Sequence, residues 1–311
     1  LLSQNNLAMI HNDRGDFKEA IVITEECLDA RKEVLGREHP DTLMSLNNLA
    51  GIYMNQGDFD KAETIFKDCL ESYENLLGKE HPDTLMCLNN LAMVYSEKGD
   101  FDKAETINKR SLEGLEKVLG EEHPDTLISL NNLAVLYQNQ GAIDQAEVIH
   151  QHCLEVNERL FGKEHSQTLT CLNNLALLYS EKGDLTQAES LFDRCLEGSE
   201  KDLGSDHPDT LTTLNNIALL FSEKGDLEKA ELIYKRCLGA NRRQLGEEHP
   251  NTLVILNNLG SLYLEKGDIN QAEEFFTLCL EACERLLGTE HQDTLLSLLN
   301  LAALHIEKDE I

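Results

Sequence analysis

Seven histidines set 42 residues apart constrain this chain more than any other feature. His39, His81, His123, His165, His207, His249 and His291 each sit in a version of Gly-x-Glu-His-Pro-Asp-Thr-Leu, and the register never slips. A fixed period of a few tens of residues means units that borrow their core from their neighbours. A chain of 311 residues could hold two ordinary domains, yet no linker or composition shift divides it. The expected organisation is one array over 1–311: seven helix pairs at 1–42, 43–84, 85–126, 127–168, 169–210, 211–252 and 253–294, then a last helix at 295–308.

Within one unit, Leu46, Leu49, Ala50 and Tyr53 recur at helical spacing, and Gly57 then breaks the pattern. This predicts a helix A of about 13 or 14 residues. Asp58 offers a side-chain oxygen to the free amides of a helix B, whose apolar stripe is Phe59, Ala62, Phe66, Cys69, Leu70 and Leu77. Gly78 ends it, and Pro82 with Asp83 opens the next helix A, where a missing amide costs nothing and a negative charge meets the positive helix end. Ser166-Gln167 and Gln292 depart from the Pro-Asp junction, and Ala142 replaces the capping Asp. That makes the Gly141 turn a softer point.

Once these residues are placed they resemble a known family. Leu-x-x-Leu-Ala-x-x-Tyr followed by Gly-Asp-Phe-x-x-Ala is similar to the tetratricopeptide repeat. The period, the Leu-Asn-Asn-Leu-Ala core and the Leu-Gly-x-Glu-His-Pro-Asp-Thr-Leu junction resemble the kinesin light chain variety, over essentially the whole chain. The resemblance implies an all-α fold, a right-handed superhelical solenoid of helix pairs, with helix A lining a concave groove and helix B outside. It implies a groove for a peptide or protein and leaves the partner unnamed, since one fold serves many functions.

The charge narrows the partner. Acidic residues number 57 against 27 basic, a formal charge of -30, which argues against nucleic acid and anionic membranes because both need clustered Lys and Arg. No apolar run approaches the roughly 20 residues of a membrane helix. Kinesin light chains hold acidic cargo peptides partly through basic residues at the start of helix A and late in helix B. Here the helix A positions are Met44, Met86, Ile128, Thr170, Thr212 and Val254, and late in helix B only Arg31 matches. With Glu97, Glu181, Glu223 and Glu265 on the rim, the expected ligand is apolar or basic rather than acidic.

Residues that look catalytic have plainer roles. Copies of the histidine one repeat apart are separated by a helix pair, too far to converge on a metal or a proton; helix capping accounts for them. Cys27, Cys69, Cys153, Cys195, Cys237 and Cys279 share one helix B position, where Ser111 takes the seventh place, and read as small buried residues. Nine cysteines without a Cys-x-x-Cys pair suit a reducing, cytoplasmic setting. The chain is expected to be no enzyme and to carry no cofactor, metal site or catalytic residue.

The candidate binding residues are amides and thioethers. Asn47-Asn48, Asn89-Asn90, Asn131-Asn132, Asn173-Asn174, Asn215-Asn216 and Asn257-Asn258 recur in mid-helix A, where Asn is a mediocre helix former. On a helical wheel they lie opposite the apolar face, positioned to donate to and accept from a peptide backbone. The alternative is that one of each pair bonds to a neighbouring helix and stiffens the stack. Met44, Met54, Met86 and Met93, with Met9, all fall in helix A of the first three units and suit a surface receiving varied apolar side chains. The expected function is an adaptor or protein-interaction module. The other class is a structural scaffold, or the sensor arm of a larger assembly, from which this chain is expected to be a fragment.

Overall fold

The computed structural model describes residues 2–309, which form fifteen helices and no strand. In chain order these are α1 Leu2–Asp13, α2 Phe17–Leu35, α3 Pro40–Asn55, α4 Phe59–Leu77, α5 Pro82–Glu97, α6 Phe101–Leu119, α7 Pro124–Asn139, α8 Ile143–Phe161, α9 Ser166–Glu181, α10 Leu185–Asp202, α11 Pro208–Glu223, α12 Leu227–Gln244, α13 Pro250–Glu265, α14 Ile269–Leu286 and α15 Gln292–Asp309. Odd-numbered helices are of type A and even-numbered of type B. The architecture is an all-α solenoid. Two compact units divide it, one ending at Val156 and the other starting at Asn157.

Helix A is longer than its apolar spacing suggests: α3 starts at Pro40 as expected but has 16 residues, ending at Asn55, two past Tyr53. His39 is the residue before the first turn, and its Nδ1 accepts the Asp41 amide hydrogen at 3.1 Å. All seven ladder histidines make this bond, including His165 to Gln167 and His291 to Asp293. The capping of α9 therefore survives the loss of Pro-Asp. A neutral ring accepting at Nδ1 carries its hydrogen on Nε2.

A second fastener was not apparent from spacing. The threonine three residues after each histidine donates its hydroxyl to the carbonyl of the glycine that ended the previous helix B, as from Thr84 to Gly78 at 2.9 Å and Thr168 to Gly162 at 2.7 Å. Gly78 has φ +90° and Gly57 φ +82°, a left-handed backbone that favours glycine. Asp58 accepts the Lys61 amide at 3.2 Å, and Asp184, Asp226 and Asp268 do the same for their helices. Asp100 makes no such side-chain cap and pairs with Lys103 at 2.5 Å instead.

Packing departs from the simple wheel in one respect. Helix α3 buries Thr42, Leu43, Ser45, Leu49, Ala50, Ile52 and Tyr53, while Leu46 is only half-buried. Helix A is pressed on two sides, by its own helix B and by the one before it, so a single apolar face understates its burial. Helix α4 buries Ala62, Phe66, Cys69 and Tyr73, with Phe59, Leu70 and Leu77 half-buried. The shared cysteine position faces helix A: Cys69 Sγ donates to the Leu43 carbonyl at 3.5 Å, and Ser111 donates to Leu85 in the same way at 2.6 Å. A small donor is what that position needs.

Candidate functional site

The two sides of the stack are held differently. In the first unit α1, α3, α5 and α7 pack directly on one another in sequence, and in the second α9, α11 and α13 do so. Consecutive helices B are joined instead by long side chains: Arg110 to Glu74 at 2.6 Å, Arg236 to Glu200 at 3.1 Å, and Arg194 to Glu158. Within each unit the A side is thus the closer, inner side. Lys109 and Arg110 in the first unit, and Arg194, Lys235 and Arg236 in the second, are exposed side chains engaged in salt bridges.

The asparagines lie on the inner side and bond mainly to one another. The second member of a pair donates its amide to the first member of the preceding repeat: Asn48 to Asn5 at 3.0 Å and Asn90 to Asn47 at 3.4 Å in the first unit. In the second unit Asn216 donates to Asn173 at 2.9 Å, Asn258 to Asn215 at 3.0 Å and Asn300 to Asn257 at 2.7 Å. Asn131 and Asn174 are also engaged. The asparagine pairs from Asn47-Asn48 to Asn257-Asn258 are half-buried, except that Asn89 is buried, as is Asn5. Each bond uses one carbonyl and one amide hydrogen, so a linked pair keeps donor and acceptor capacity for a further group.

One rung is broken, for an identifiable reason. Asn108 of α6 stands where other repeats carry Phe66, Phe192 or Phe276, and donates to Asn89 Oδ1 at 3.0 Å. Asn89 is drawn inward, and Asn132 donates to Met93 Sδ at 3.6 Å. Asn55 to Asn12 at 3.1 Å, Ser222 to Glu265 at 2.9 Å and Ser180 to Glu223 form a second line of the same register, which the wheel did not bring out.

Among the methionines, Met44 and Met93 are exposed, Met54 is half-buried, and Met86 packs partly against Leu85, Leu88 and Leu115. Ile128, Val135, Leu219 and Val254 extend the exposed apolar positions of helix A. In the second unit a cleft of about 340 Å³ lies between α11 and α13, with Leu219, Glu223, Asn258 and Glu265 on its walls and Tyr234 at its floor. The rim carboxylates Glu97, Glu181, Glu223 and Glu265 are all exposed.

Positive charge is drawn away from this surface. Lys98, at the end of α5, pairs with Asp60 at 2.7 Å and Glu63 at 2.5 Å on the preceding helix B; Lys266 reaches Glu228 at 2.9 Å, and Lys308 reaches Glu273 at 2.7 Å. Lys67 and then Lys98 hold the Glu63 carboxyl down to about 2, and Lys235 and Lys266 hold Glu231 there too. Arg31, matched from sequence to a basic groove residue, is not in the groove: it is buried and bonds to the carbonyl of Asp41 and the hydroxyl of Ser45. Among the described residues no three His, Cys, Asp or Glu side chains could hold one metal ion, and no helix is long and apolar enough to cross a membrane.

Family profiles described as "Tetratricopeptide repeat" match residues 1–41, 41–117, 98–148, 125–201, 173–243, 233–283 and 255–310. No curated protein matches the chain significantly. Among solved structures, BtubC (BKLC) from P. vanneervenii is 24% identical over 74% of this chain and 92% of its own, with a TM-score of 0.58. A kinesin-light-chain-type protein of nearly identical TPR-like repeats from Podosopora anserina is 24% identical over 66% and 98%, with a TM-score of 0.53. The quorum sensor NprR of B. thuringiensis, in its complex with its cognate peptide NprX, is 14% identical over 99% and 83%, with a TM-score of 0.61. At these identities the likeness is one of fold.

Proposed function

The chain belongs to the tetratricopeptide repeat family, and from that premise we propose that it is an adaptor of the kinesin light chain-like variety whose helix A surface binds a segment of a partner protein. The observation that carries this reading is the cleft between α11 and α13, where apolar Leu219, the amide of Asn258 and the carboxylates of Glu223 and Glu265 converge. Apolar side chains of the ligand would enter such clefts and supply most of the affinity by leaving water. The spare amide capacity of the asparagine rungs would hold its backbone. With the lysines turned to helix B and the carboxylates left exposed, an apolar or basic segment fits and an acidic one is repelled.

Catalysis has no part in this reading, because the histidines that look chemical spend Nδ1 on helix caps. Nine cysteines, all free and buried, suit a reducing compartment such as the cytoplasm. The scaffold reading is favoured by one specific observation: the asparagine bonds run between repeats and stiffen the stack.

An array of immobilised 15-residue peptides spanning acidic, neutral and basic compositions tests the proposal. Apolar and basic peptides should be retained, and Leu219→Glu should weaken them at least tenfold at unchanged helicity. Preferential retention of acidic peptides would overturn the groove assignment. Indifference to Leu219→Glu, with Asn258→Ala changing stability alone, would leave the scaffold.

A further inference from the structure

One position late in helix B is filled very differently from repeat to repeat. It is Arg31, Tyr73 and Leu115 in the first three copies and Ser199 in the fifth. In the first copy Arg31 is only 3% exposed, and one guanidinium nitrogen donates both to the Asp41 carbonyl at 2.7 Å and to the Ser45 hydroxyl at 2.6 Å. Four repeats later the same two places are held by Asp209 and Thr213. Ser199 is too short to reach them, and its hydroxyl turns back to the Cys195 carbonyl at 2.9 Å. A cavity of about 150 Å³ lies between α9, α10 and α11, its inner wall formed by buried Leu169, Cys195, Ser199 and Thr213. Exposed Thr170, Asp209 and Thr212 line its mouth.

We propose that this cavity is a binding site for a guanidinium group, the arginine side chain of a partner segment, which takes here the place that Arg31 takes in the first repeat. The source of that arginine rests on the peptide-binding reading; the site itself rests on the internal template. The Asp209 carbonyl and the Thr213 hydroxyl oxygen accept the two hydrogen bonds, the Thr213 hydroxyl hydrogen turning from the Asp209 carbonyl, where it lies at 3.1 Å, to Cys195 Sγ at 3.5 Å. The Asp209 carboxylate supplies opposite charge at the mouth, and Leu169 and Leu203 receive the methylene stem. A cavity of about 150 Å³ takes a benzene-sized ring, so a planar guanidinium fits. A lysine ammonium, compact and strongly hydrated, neither fills the space nor makes the paired contact. The formal charge of -30 draws such a ligand in.

The test uses N-acetyl-arginine-N′-methylamide, with its citrulline and lysine counterparts, titrated into the full chain with Thr methyl groups observed by NMR. The Thr212 and Thr213 signals should shift and saturate with the arginine compound and respond at least tenfold more weakly to the other two. Ser199→Arg should abolish the response, as the chain then fills its own site. Thr213→Val, a β-branched apolar residue like the Ile255 that occupies the same position in the next repeat, should weaken it about tenfold in a normally folded protein. Equal responses to citrulline, or an arginine response untouched by Thr213→Val, would overturn the site. Loss of the site while peptides still bind the α11–α13 cleft removes this inference and leaves the adaptor reading; arginine binding without any peptide binding does the reverse.

Discussion

His150 shows how much a single residue can burden a repeat. It stands where Phe66, Phe192 and Phe276 fill the interface in other copies, it is 0% exposed, and neither ring nitrogen has a hydrogen-bond partner. Burial lowers its pKa from the usual 6.5 to about 4. The unfolded chain therefore takes up a proton near pH 6.5 while the folded chain resists until about 4, so the unfolded state binds more protons between those values. Stability is full above pH 6.5 and falls as pH drops towards 4, by roughly 3 kcal/mol for a shift of this size. His150→Phe should remove this share of the acid sensitivity and raise stability at neutral pH, since it also removes two unpartnered nitrogens. Urea unfolding at pH 7 and near pH 4.5 checks both; a variant with the acid sensitivity of the parent would contradict the assignment.

At the level of the helix, most of what was visible in the sequence is local. Caps and stops are set by residues within a few positions of one another, so the glycine turns, the histidine caps and the aspartate caps could be read from spacing. Helix A runs two residues past Tyr53 to Asn55, an extension that the apolar spacing does not mark. Ala142 is the exception among residues before helix B, and α8 starts there without an acidic cap. Ala142→Asp should stabilise the protein by about 1 kcal/mol through a bond like that of Asp58 to the Lys61 amide. Thermal unfolding reports it, and an unchanged midpoint would mean that the turn at Gly141 is already held by other contacts.

Across the whole molecule the less legible part is what one repeat does to the next. A helical wheel gives the direction in which Asn47 and Asn48 point, but not that Asn48 finds Asn5 and Asn47 receives Asn90. It likewise cannot show that Asn108, a polar residue at an aromatic position, pulls Asn89 out of line. Arg31 reads as a surface cation because its acceptors, Asp41 and Ser45, belong to the next helix A. Such pairings depend on the stacking register, which sequence periodicity implies without giving distances.

The uneven fastening of the two sides has a mechanical consequence. Within each unit the A edge is tied by neutral amides and direct packing, the B edge by ion pairs such as Arg110–Glu74 and Arg236–Glu200. Salt at about 1 M shortens the screening length to roughly 3 Å and weakens only the second kind. Each unit should then behave like a bimetallic strip with ionic strength in place of temperature, one edge holding its length while the other lengthens. Spin-label distances between α4 and α6 should grow with salt while those between α3 and α5 stay fixed; equal changes on both edges would exclude the idea. Bending of that kind would let the ionic medium adjust how widely the helix A edge of each unit opens.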